Sequence, residues 1–211
     1  FWSSYLTRPA TFSSTTDLSA AITWYIAAKT PATTHYGAIG TWDVSNITDM
    51  SGLFAYRTTF NEDISGWNVS NVTDMSGMFV GATSFNQPLS AWGNKTASAE
   101  DMTSMFEGAT SFAKYVGSWN LGSVTKLDKM FKGATSFNSE VRRWSDLSTN
   151  AAAITFVDMF SGATAFNNNV TWSTDPNLGP PVSKAFWQQY AGTYTMSNTS
   201  LQTAVGLWIT N

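Results

Sequence analysis

A thirteen-residue phrase recurs along the chain, and it restricts the possible folds more than any other feature. DMSGMFVGATSFN at residues 74–86 returns as DMTSMFEGATSFA 27 residues later, and DMSGLFAYRTTFN precedes it by 25. Aligned on the Phe of this phrase, Phe54, Phe79, Phe106, Phe131 and Phe160 are 25, 27, 25 and 29 residues apart. A second Phe follows six positions later each time, at Phe60, Phe85, Phe112, Phe137 and Phe166. Trp keeps the same phase at Trp42, Trp67, Trp92, Trp119, Trp144 and Trp172. Self-similarity at such a period is the signature of a repeat array, in which each unit buries its apolar face only against its neighbours.

Within one unit the apolar spacing changes. Val72, Met75, Met78, Phe79 and Ala82 fall at three- and four-residue intervals, which predicts a short helix, with Thr73 or Asp74 as its cap and Gly81 at its stop. Trp67 and Val69 alternate with polar neighbours as in a half-buried strand, and Ile64 leads into it. Each coil is therefore expected to be a short strand, a turn, a short helix and a return loop. About five such coils make an α/β solenoid.

Repeat arrays need covered ends. Leu18, Ala21, Ile22, Tyr25 and Ile26 lie on one helical face, after a Thr and an Asp suited to capping. Leu201, Ala204, Val205, Trp208 and Ile209 repeat that template near the other end. Three regions follow: an N-terminal segment with its capping helix at 1–40, the repeats at 41–175, and a C-terminal cap or subunit-docking segment at 176–211. In the last of these Phe186, Trp187, Tyr190, Leu201, Val205 and Trp208 are the candidate interface for end-to-end association of copies.

Charged residues are only 12% of the chain and the formal net charge is -3, so no basic field exists to concentrate nucleic acid. The polar surface is mostly Ser, Thr and Asn, a composition that points to an extracellular or cell-surface setting. No apolar run approaches the roughly 20 residues of a membrane-crossing helix. Cysteine is absent, which removes disulfides and thiolate chemistry.

Reactive constellations are equally sparse. His35, the only histidine, falls in ATTHYG, read as a loop before the first repeat. Asp49, Asp74 and Asp101 recur in register, but Lys126 takes the next equivalent position, so helix capping explains them better than a calcium ridge. Asn61, Asn86, Asn138 and Asn167 are expected to form an amide ladder that satisfies turn backbone. No catalytic residue, metal site or cofactor site is expected. Six Asn-x-Ser/Thr sequons, at Asn46, Asn68, Asn71, Asn94, Asn169 and Asn198, are candidate glycosylation sites.

The phrases WDVSNITDMSGLF, FNEDISGWNVSNVTDMSGMFVGATSFNQPLSAW and MFKGATSFN resemble the BspA-like leucine-rich-repeat surface proteins, whose repeat was first catalogued as a domain of unknown function in mycoplasma lipoproteins. The resemblance covers about residues 17–172. It implies a right-handed leucine-rich-repeat-like solenoid, secreted or displayed on a cell, with adhesive or structural roles and no known catalytic activity. The later wordings NLGSVTKLDKMF and NAAAITFVDMF depart from the pattern. The expected function is thus a non-enzymatic structural or adhesion protein, a subunit of a surface filament or coat. The alternative is a monomeric binding module for carbohydrate or protein ligands.

Overall fold

The computed structural model describes residues 10–139, 141, 144, 155 and 157–167. It opens with two helices, α1 (Thr15–Ala27) and α2 (Lys29–Tyr36), followed by five stacked repeats. Helix α1 forms where the apolar spacing places it, burying Leu18, Ala21, Ile22 and Tyr25. Its cap is Ser14, one residue before the expected Thr: the Ser14 hydroxyl oxygen accepts from the Asp17 amide and donates to the Asp17 carboxylate. Helix α2 was not expected. Pro31 sits in its first turn, where a missing N–H costs nothing, and His35 lies in its last turn and not in a loop.

The repeats contain neither the helix nor the strand that the spacing predicts. In the second repeat Met78, Val80 and Ala82 donate their amides back to Met75, Gly77 and Phe79, three residues earlier. The intervening amides of Met75, Gly77, Phe79 and Gly81 point sideways and donate to Asp101, Thr103, Met105 and Glu107 of the next repeat, at 2.7–2.9 Å. The segment is a ribbon of consecutive turns whose alternate N–H groups bind its neighbour. Left-handed backbone at two positions four residues apart produces the alternation: Gly77 and Gly81 in this repeat, Gly52 and Tyr56 in the first, Ser104 and Gly108 in the third. Two glycines so close weaken an α-helix, and a helix would spend on itself the amides that tie one repeat to the next.

The same four donations recur at every junction, always from a repeat to its successor, and isolated parallel bridges join Asp49, Asp74, Asp101, Lys126 and Thr155 in series. Where the expected strand lies, Trp67 instead closes a turn on the Ile64 carbonyl. That carbonyl accepts a second bond from the indole of Trp92 in the next repeat, and Trp119 and Trp144 reach back to Leu89 and Val116 in the same way. The core is built of lanes that run along the stack. The first Phe of each repeat stacks on the next at 5.3–5.6 Å, and its partner six residues on lies 3.8–4.2 Å from it within the repeat.

Helix α1 covers the edge where the ladder starts. In later repeats the carbonyls of Asp74, Asp101 and Lys126 accept the preceding repeat's amide; Asp49 has no preceding repeat, and the Thr15 hydroxyl donates to it at 2.6 Å. Arg57 donates to Thr23 and Lys29 pairs with Glu62, fastening α1 and the first residue of α2 to the first repeat.

Candidate functional site

The lanes consume most polar side chains. Asp49, Asp74 and Asp101 cap no helix: each accepts the amide two residues ahead, from Ser51, Ser76 and Thr103, at 2.8–2.9 Å. Asp101 also meets Lys126 at 2.9 Å. Burial pushes the Asp101 carboxyl up, but the hydrogen bonds from Lys126 and Thr103 outweigh it and hold the group below the usual range. Asp43 is lowered by the Ser45 hydroxyl and amide, and Asp63 by the Ser65 amide. The asparagine ladder forms as expected at two steps, Asn61 accepting from the Asn86 amide and Asn86 from the Ala113 amide. A threonine ladder runs beside it: Thr83, Thr110, Thr135 and Thr164 each donate to the preceding threonine's carbonyl.

The sequons differ in how far their amides are spent. Asn71 donates its side-chain nitrogen to the Ser45 carbonyl at 2.7 Å, and Asn68 accepts from Ser70. Asn46 and Asn94 are exposed, with no side-chain hydrogen bond among the described residues. Asn169 and Asn198, with the interface candidates Phe186, Trp187, Tyr190, Leu201, Val205 and Trp208, lie outside the described residues. His35 packs edge-on against Tyr36 at 4.5 Å and beside Trp24 at 5.4 Å.

One overlapping wording explains all these lanes, and it matches a family model over residues 26–144 and 93–186, together most of the chain: Mycoplasma protein of unknown function, DUF285. The chain belongs to this family. No curated protein and no solved structure matches it. The DUF285 match therefore supplies kinship without a chemistry, and any site has to be found where the repeats stop being equivalent.

Two places qualify. A shallow depression of about 740 Å³ runs along the outer side of α1, lined by Thr15, Thr16, Ser19, Ala20, Thr23, Trp24 and Ala27. All its walls belong to one helix, so it is a notch between small side chains and not an enclosed site. The other place is Tyr56-Arg57. Repeats two to five read Gly-Ala-Thr at this point, at 81–83, 108–110, 133–135 and 162–164, whereas the first reads Tyr56-Arg57-Thr58. Tyr56 is 73% exposed, and its φ of 57° is the conformation the other repeats give to glycine. Arg57 replaces an alanine that is fully buried elsewhere, and its guanidinium turns out to Thr23. Sequence reading passed over this pair, although aligning the five phrases exposes the double departure. No helix among the described residues is long and apolar enough to cross a membrane.

Proposed function

We propose that this DUF285 protein is a non-enzymatic, extracellular structural or adhesive protein of the BspA-like kind. In this reading its repeats form a right-handed leucine-rich-repeat-like solenoid, and copies join end to end in a surface filament or coat. The observation that supports it most is the regular ladder: every junction repeats the same four donations, and the Asn, Thr and Trp side chains around it are spent on holding one repeat to the next. Side chains committed in this way are scaffold.

At the N-terminal end Thr15 occupies the first of the acceptors where another repeat would attach and α1 lies beside the first repeat, so in this reading a second copy meets the outer face of α1 around Trp24. Trp24 is 38% exposed there. Negative-stain electron microscopy of the natively purified protein at micromolar concentration tests assembly. Regular filaments or sheets are the expected result; single short rods would overturn the filament and leave the monomeric binding module, the second reading, which the non-equivalent pair Tyr56-Arg57 favours.

A further inference from the structure

The first repeat breaks the array's pattern at two adjacent residues: Arg57 reaches Thr23 of α1, and Tyr56 places a non-glycine residue in left-handed backbone. A non-glycine residue in the left-handed region costs on the order of 1–2 kcal/mol, and glycine holds this position in the other four repeats. The tyrosine gains little burial in exchange. Its ring lies along Gly81, so close that a Cβ there would stand 2.6 Å from Tyr56 Cδ1, and the residue remains 73% exposed. An exposed aromatic side chain resting on a backbone floor presents its other face to solvent.

Arg57 adds a charge with unspent capacity. Its Nη2 donates to Thr23 Oγ1 at 2.9 Å, and among the described residues Arg57, like Lys95, Lys114 and Lys129, faces no carboxylate. A guanidinium has five N–H donors in a planar fork that fits a carboxylate or sulfate with two parallel bonds. The bonded neighbour of Arg57 is the Thr23 hydroxyl, and the threonine ladder starts one residue on at Thr58, whose carbonyl accepts from the Thr83 hydroxyl.

We infer that Tyr56 and Arg57 form a binding site for an anionic polysaccharide, with one sugar ring against the open side of Tyr56 and its carboxylate or sulfate on the Arg57 guanidinium. A linear polymer suits the site because it stands on the open flank of the stack and not in a closed cavity. An aromatic surface takes the apolar face of a pyranose, and the arginine selects the charged sugar over a neutral one. The inference deepens the adhesive part of the proposed function and is independent of whether copies form filaments.

The double variant Tyr56→Gly/Arg57→Ala carries the wording of the other repeats; it relieves the strain at residue 56, gives up the Arg57–Thr23 bond, and its melting temperature checks that the fold is kept. Isothermal titration of the wild-type and variant proteins with oligogalacturonate, with a sulfated oligosaccharide of equal length, and with a neutral oligosaccharide tests the site. Expected is binding of one or both anionic probes, weakened by about tenfold or more in the folded double variant. The two anionic arms distinguish carboxylate from sulfate. No binding, equal binding of the neutral probe, or anionic binding unchanged in the variant would overturn the site. Filaments without glycan binding would sink this inference alone; glycan binding by single rods would sink the filament alone.

Discussion

Thr96 is the clearest case of a residue whose identity is dictated by the backbone it serves. Its side chain is fully buried in the turn at Ser90–Thr96, and its hydroxyl lies within bonding distance of two carbonyls, Gly93 at 2.9 Å and Asn120 of the next repeat at 2.8 Å. Thr96→Val keeps the shape and removes the donor; the Gly93 carbonyl keeps the Asn120 amide, and the Asn120 carbonyl loses its hydroxyl partner. A loss of about 1–3 kcal/mol is expected, measured by urea denaturation at unchanged m-value. Valine at the exposed Thr135, whose hydroxyl bonds the Thr110 carbonyl at 3.3 Å, should cost well under half as much. Comparable costs at the two sites would mean that burial does not set the worth of these ladders.

The repeating unit shows why apolar spacing located the core but misassigned the backbone. Val72, Met75, Met78, Phe79 and Ala82 are all fully buried, as the three- and four-residue intervals predict. Consecutive three-residue turns bring side chains to one face at those same intervals, so the pattern does not separate a turn ribbon from a helix. What separates them is the glycine pair at 77 and 81, and that signal is diluted because Ser104, Lys129, Asp158 and Tyr56 also take left-handed backbone. The Asp cap was misread for the same reason: Asp74 does bind an amide two residues on, but the amide begins a turn and not a helix. The core lanes give the next prediction. Phe106 lies between Phe79 at 5.3 Å and Phe131 at 5.4 Å, with Phe112 at 4.0 Å, whereas Phe54 has a repeat neighbour in its lane on one side only. Phe106→Ala should cost about 3–5 kcal/mol, the upper range for buried aromatics, and more than Phe54→Ala. Thermal melts of the two variants decide it, and a larger loss at Phe54 would contradict the stacked-lane account of stability.

At the scale of the whole molecule the number of repeats, the phase of their aromatic lanes and the N-terminal helix were legible in the sequence, because each rests on side chains that recur. The ladder itself was not legible, since it is carried by backbone amides that every residue owns. Nor was the Tyr56-Arg57 site, whose signal lies in what the repeat lacks there. Few charges are left to make stability depend on pH, and those with shifted titration divide by sign. Asp43, Asp63 and Asp101 are held below their ordinary range in the folded chain. Their contribution is therefore complete above the unfolded carboxylate value of about 3.9 and is lost as pH falls through the lower folded values. Lys29 and Lys126 are raised by the hydrogen bonds they donate to Glu62 and Asp101, so theirs is complete below about 10.4 and is lost as pH rises through the higher folded values. Melting temperature should be nearly flat between these limits and fall on both sides. Asp101→Asn keeps an oxygen for the Thr103 amide but removes the charge opposite Lys126. It should flatten the acid limb below about pH 4 and, through Lys126, soften the alkaline one as well. An acid limb as steep in the variant as in the wild type would assign the loss to Asp43 and Asp63, and the Asp101–Lys126 pair, which joins one repeat to the next, would then add nothing to acid stability.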